Sequence, residues 1–265
     1  MPRPTLLPTT ATGETFAGVT YHLDGDLVPA LTVELQQGQR VFFEHHTLLW
    51  KAPSITIGIK KMAGVLKRMV AGMQVFMTEA QGTGPIALSR DGVGHIFPMH
   101  LDTGQRLDVR EHQFLAATDG IDYTWQFVKG AANILLGGNG FVVDSFYASG
   151  KPGILWLHGY GNVFEVVLNA NESIDVEPGA WLYKDQSVQM ATQFTNLSTG
   201  LFGGASVTLN RFTGPGRLGI QTMSTPALSG DVASGSGGGS NNARMAAGGL
   251  SAMGIIMGLL GGRSD

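Results

Sequence analysis

The chain has 265 residues, of which 43% are hydrophobic and only 14% charged, with 39 glycines, no cysteine and a net charge of −3. A charged share well below the usual ~25% argues against charge-driven disorder and against a coiled coil. The missing cysteine excludes disulfides, thiolate zinc sites and cysteine nucleophiles, and the weak net charge offers nucleic acid or an anionic membrane no global field to follow.

In chain order, the first 16 residues, MPRPTLLPTTATGETF, carry one arginine, one glutamate and three prolines. They lack both the apolar run of a secretory signal and the basic amphipathic pattern of a mitochondrial presequence, so a cytoplasmic protein is expected. Residues 1–17 read as an N-terminal extension, residues 18–228 as a β-repeat domain, and residues 229–265 as a linker and tail.

Three segments of the domain align without gaps: GQRVFFEHHTLLWKAPSI from Gly38, GQRLDVREHQFLAATDGI from Gly104 and NESIDVEPGAWLYKDQSV from Asn171. Offsets of 66 and 67 residues bring Val41, Leu107 and Ile174 to one position, and Phe43, Val109 and Val176 two further on. Leu48, Phe114 and Trp181 then coincide, as do Leu49, Leu115 and Leu182, and later Ile55, Ile121 and Val188. The alternation that opens each segment is that of a strand. After the first segment, residues 60–74 (KKMAGVLKRMVAGMQ) set Met62, Val65, Met69, Val70 and Met73 at helical spacing, so one short helix-containing insertion is expected, its methionines packing the core.

A second recurring element, SRDGVGHIFPMHL from Ser89, YASGKPGILWLHG from Tyr147 and RFTGPGRLGIQTM from Arg211, sets a glycine turn before an apolar strand each time. Short strands between dense turn signals indicate an all-β sandwich, barrel or β-helix-like stack. Beyond it, residues 229–242 are almost wholly Gly, Ser, Ala and Asn, the composition of a flexible linker. The 18 uncharged residues between Arg244 and Arg263 stand at the lower limit for spanning a bilayer. Gly254, Gly258 and Gly262 repeat a GxxxG spacing there, so this glycine-zipper-like tail reads first as loosely docked and next as a site of self-association or membrane-surface contact.

The runs KKMAGVLKRMVAGMQVFMTEAQGTGPIALS, HQFLAATDGIDY, EPGAWLYKDQSV and FTGPGRLGIQT resemble the altered-inheritance-of-mitochondria protein 24 family, over residues 18–225. That family is grouped by fold with the tryptophan RNA-binding attenuator proteins. The resemblance implies a double-stranded β-helix-type fold in three internal pseudo-repeats, together with self-association. It implies no enzyme and supplies no catalytic motif, so no residue roles are carried over; of the family's mitochondrial and bacterial members, a chain without a presequence is expected to be a bacterial one.

A β-helix fold makes a cupin-type metal site the first enzymatic alternative, and such a site needs two histidines two apart on a strand. His45 and His46 are adjacent, His95 and His100 are five apart, and no H-x-H occurs. A metal-dependent enzyme would have to draw on His45, His95, His100 or His158 with Glu44 or Glu111; solvated or core-satisfied histidines are the simpler reading, and no cofactor is expected. Gly214, Gly216 and Gly219 match G-x-G-x-x-G, but phosphate binding needs a helix after the loop and RLGIQTM continues as strand.

Asp24 with Asp26, and Asp119 with Asp122, read as turn chemistry rather than acid–base pairs. Lys60, Lys61, Lys67 and Arg68 form a tight basic cluster with Trp50 and Phe76 nearby, which makes RNA or another anionic partner the second alternative; a solvated helix end explains the four charges equally well. Trp125, Trp156, Tyr160 and Trp181 stand in apolar strand contexts and are expected inside. The leading expectation is a non-enzymatic β-repeat scaffold or binding protein that forms a homo-oligomer and meets a membrane or protein partner, the membrane through its tail.

Overall fold

The computed structural model describes residues 3–61, 76–128, 141–194 and 208–223. Among them the regular structure is β-strand, with one turn of 3-10 helix at His45–Thr47 and no α-helix, so the all-β expectation holds. Three strands come first: β1 (Thr5–Leu6), β2 (Ala11–Phe16) and β3 (Val19–Asp24). Six follow: β4 (Ala30–Leu35), β5 (Arg40–Phe43), β6 (Leu48–Lys51), β7 (Thr56–Lys61), β8 (Phe76–Gln81) and β9 (Gly84–Leu88). The next six are β10 (Gly94–Leu101), β11 (Arg106–Arg110), β12 (Phe114–Thr118), β13 (Ile121–Val128), β14 (Phe141–Ala148) and β15 (Gly153–Tyr160). The last six are β16 (Val163–Leu168), β17 (Ser173–Val176), β18 (Trp181–Asp185), β19 (Gln189–Phe194), β20 (Thr208–Thr213) and β21 (Gly216–Gln221).

The helix expected over residues 60–74 fails at its start. Lys60 and Lys61 close β7, which pairs with β8 one residue to one from Thr56↔Gln81 to Lys61↔Phe76. Ile57 and Ile59 carry a period of two up to that point, and pairing with β8 holds Lys60 and Lys61 as strand. The rest of the expected helix lies outside the described residues.

Four sheets result, with the orders β2-β3-β4-β9-β6, β10-β15-β12-β5-β8-β7, β1-β16-β21-β18-β11-β14-β13 and β17-β20-β19. They enclose three apolar cores in sequence. The first lies between the first two sheets and gathers Tyr21, Leu31, Val33, Val41, Phe43, Ile154 and Trp156. The second takes Phe42, Phe97, Leu107, Val109, Leu155, Leu157 and Tyr183, and the third takes Val166, Ile174, Val176, Trp181 and Phe212.

The alternation of β15 explains the layering. Ile154 and Trp156 point into the first core while Leu155 and Leu157 point into the second, so a strand buried on both faces reads as one continuous apolar run. Only outer strands such as β3, with Val19, Tyr21 and Leu23 buried and their neighbours half-exposed, show the alternation of a strand with one wet face.

The turns before β5, β11 and β17 share one construction. Gly38, Gly104 and Asn171 have φ of 85°, 88° and 65°. In each turn the residue after it accepts a backbone N–H through its side chain: Gln36 to Gln39 at 2.9 Å, Asp102 to Gln105 at 2.8 Å and Asn169 to Glu172 at 3.1 Å. Asparagine is the non-glycine residue best suited to that left-handed position, which is why the third turn dispenses with glycine.

Candidate functional site

The polar groups that strand chemistry cannot absorb collect around Arg90. This side chain, 8% exposed, donates through Nη1 to the Phe114 carbonyl at 2.7 Å and stands 3.0 Å from Glu44 Oε2. The second contact is charge attraction without the alignment of a hydrogen bond. Glu44 immediately precedes the 3-10 turn, and Thr47 closes that turn by donating through Oγ1 to the Glu44 carbonyl at 2.7 Å. Nearby on β15, His158 is 1% exposed and neither of its ring nitrogens makes an aligned hydrogen bond. Burial, reinforced by the Arg90 charge and opposed by the Gly92 backbone, holds its pKa down at about 4.

His95 on β10 accepts the Val163 N–H at Nδ1 (3.3 Å), and burial lowers its pKa against a hydrogen bond that it donates to Asn162. His100, at the far end of β10, stacks on Phe16 at 4.4 Å and lies 3.2 Å from the Tyr21 hydroxyl; burial lowers its pKa as well. Glu111 lies instead beside His112, 3.7 Å away on the surface. Of the candidate metal ligands, His95 and His158 lie close enough for their charges to interact and Arg90 stands by Glu44, whereas His100 and Glu111 stand apart from them. Among the described residues no group of three or more His, Cys, Asp or Glu is placed to hold a metal.

The basic cluster is reduced in the same way. Lys60 turns inward, its Nζ 3.6 Å from the centroid of the Phe42 ring, and burial lowers its pKa against the pull of Asp122, Glu79 and Asp119. Lys61 closes the same strand, whereas Lys67 and Arg68 lie outside the described residues, as do Gly254, Gly258 and Gly262. Of the glycines matching G-x-G-x-x-G, Gly216 has φ of 137° and opens β21, and a Cβ on Gly219 would run into the Tyr183 ring. These glycines therefore serve a turn and a close approach. Among the described residues no helix is long and apolar enough to cross a membrane.

Sequence reasoning did not locate the sheet edges. β5 pairs with β12, joining two sets of three strands into one sheet, and β11 pairs with β18, joining a set of four to a set of three. The second joint holds a buried ion pair: Asp108 accepts from Lys184 Nζ at 2.9 Å and from Ser145 Oγ at 2.8 Å. Among the described residues eight strands end a sheet (β1, β2, β6, β7, β10, β13, β17 and β19), and two of them, β6 beside β9 and β17 beside β20, lack the second partner that β12 and β18, and β5 and β11, have at these joints. On β6, Leu49 and Trp50 are 55% and 50% exposed, whereas Leu115 and Ala116 of β12 and Leu182 and Tyr183 of β18 are fully buried. The aligned segments carried this signal, because Lys51 and Lys184 share one position in them and Asp108 and Asp175 share another.

Stacked antiparallel sheets, cores shared through two-faced strands and strand edges left open place the chain among layered all-β proteins. The model of the mitochondrial biogenesis AIM24 family matches residues 21–223, and the chain belongs to that family, in line with the resemblance carried by its motifs. The fold is similar to that of protein SPYM3_0169 from Streptococcus pyogenes, whose crystal structure superposes with a TM-score of 0.60 at 18% identity, covering 78% of this chain and 94% of that one. Among curated proteins none matches.

Proposed function

We propose that the chain is a non-enzymatic scaffold of three six-stranded modules in a double-stranded β-helix-type arrangement, and that it works by joining to further copies of itself. The modules would be β4–β9, β10–β15 and β16–β21. Support comes from the pairings: β4·β9, β6·β9, β5·β8 and β7·β8 correspond one for one to β10·β15, β12·β15, β11·β14 and β13·β14. They correspond again to β16·β21, β18·β21, β17·β20 and β19·β20. A register shift falls at the same place each time, between Leu48 and Trp50, Phe114 and Ala116, and Trp181 and Tyr183.

The observation that carries self-association is that, of the open strands, β6 and β17 are the ones whose counterparts form the joints between sets of strands. In such a chain, the second strand of a module pairs with the third strand of the next, which leaves β17 without a following partner and β6 without a preceding one. Unpaired edges flanked by exposed Leu49 and Trp50 invite association unless covered. Light scattering over a concentration series is expected to give a particle mass that is a multiple of 28.0 kDa. A 28.0 kDa particle at every concentration would sink the reading. The glycine-zipper-like tail is the proposed membrane-contacting part. Deleting residues 229–265 is expected to leave the number of copies per particle unchanged while removing any pelleting with vesicles.

A further inference from the structure

Resting on the self-association just proposed, we infer that β17 of one copy pairs antiparallel with β6 of the next, in the register Ile174↔Ala52, Asp175↔Lys51 and Val176↔Trp50. Lys51 and Asp175 thereby form an ion pair between copies.

The register follows from the two joints inside the chain. The first sets Val41 opposite Thr118, Phe42 opposite Ala117 and Phe43 opposite Ala116. The second sets Leu107 opposite Asp185, Asp108 opposite Lys184 and Val109 opposite Tyr183. Moving the first joint by 66 residues on β5 and 67 on β12 reproduces the second residue for residue. The same offsets applied to the remaining strands lead from β11 to Ile174, Asp175 and Val176, and from β12 back to Ala52, Lys51 and Trp50.

The side chains at those positions are suited to one another. In the second internal joint the central pair is Asp108 with Lys184, and Ser145 on β14 braces the carboxylate from the other side. At the open edge Asp175 has the place of Asp108, and Arg211 on β20 has the place of Ser145, holding Asp175 with hydrogen bonds of 2.7 and 2.8 Å. Lys51 has the place of Lys184; on the single chain the residue is half-buried and its Nζ donates to the Ile55 carbonyl at 2.8 Å and to the Ala52 carbonyl at 3.4 Å, neutral acceptors that a carboxylate laid alongside would displace.

Apolar contacts point the same way. Leu182 and Tyr183 of β18 enter the core between the second and third sheets, and Leu115 and Ala116 of β12 are likewise fully buried. By the same placement, Leu49 and Trp50 of the next copy would cover the third core beside Ile174 and Val176, which a single chain leaves 8% and 6% exposed. The joint uses different surfaces on its two sides, so copies add head to tail and close into a ring or extend as a filament according to the rotation per step.

Absence of cysteine makes the register directly testable. Directly opposed residues of an antiparallel pair have Cα atoms about 4.5–5.5 Å apart, within disulfide range. Mild oxidation of the Lys51→Cys, Asp175→Cys double variant is expected to produce a covalent ladder in multiples of 28.0 kDa. The off-register Lys51→Cys, Val176→Cys variant is expected to give none, because a one-residue slip turns the side chains to opposite faces. Independently, Lys51→Glu and Asp175→Lys are each expected to weaken association by about tenfold or more, and the double reversal to restore it.

Trp50→Ala, a change at an exposed side chain of the single chain, should weaken association without charge reversal. A wild-type chain that associates while the paired cysteines stay unlinked and the double reversal brings no rescue would overturn this joint and leave self-association standing. A wild-type chain that is monomeric throughout overturns both.

Discussion

His158 shows what burial does to a titratable side chain that lacks an aligned partner. Its pKa is held at about 4 in the folded protein against an unfolded value of 6.5. The unfolded chain therefore binds more protons between those values, and stability falls as pH drops through that window and levels off below it. The interval corresponds to about 3 kcal/mol. Thermal or urea unfolding of the His158→Gln variant between pH 7 and pH 4 should show a correspondingly shallower acid loss than the wild type. Equal pH dependence of the two would mean that His158 does not titrate with folding.

The left-handed turn positions make a second residue-scale comparison. A Cβ at Gly104 would meet nothing within 4 Å, so Gly104→Ala isolates backbone strain and should cost about 1 kcal/mol in urea unfolding. Asn171→Gly at the equivalent turn should change stability by only a few tenths, its backbone already tolerating that φ.

At the scale of strands, the joint between β11 and β18 depends on one buried pair. Lys184→Met leaves the Asp108 carboxylate buried with only Ser145, and should destabilise the fold by about 3–5 kcal/mol. The joint between β5 and β12 solves the same problem with Phe42 opposite Ala117, so Asp108→Phe combined with Lys184→Ala should recover most of that loss. Non-recovery in urea unfolding would show that the two joints are not interchangeable.

This scale also marks where sequence reading stops. The strands at 40–43, 106–110 and 173–176 were legible because alternation and the turn residues before them repeat. Partner choice was not, since Phe43 and Ala116 are far apart in the chain and only the shared cores select their register. The edge pair was missed for a related reason: a lysine or aspartate in an alternating strand reads as its solvent face, and only a second strand turns it into an interior group. At Lys60 the error ran the other way, because helical spacing beginning at Met62 was extended backward over a strand whose partner starts at Phe76.

For the whole molecule, the order of the joints has a kinetic consequence. Under the proposed modular reading, β5 emerges from the ribosome about 75 residues before β12, the strand that completes its sheet, a delay of roughly 4–15 s at ordinary rates of synthesis. β11 waits a similar time for β18. Both delays are first-order and end within the chain's own synthesis. Under the proposed joint, β17, unlike β5 and β11, has its partner on another molecule, so its exposure time depends on how many copies are nearby. Sparse expression would thus leave the last strand bare for longer than the first two ever are, and clustered synthesis on one message would shorten that interval without any change in the protein.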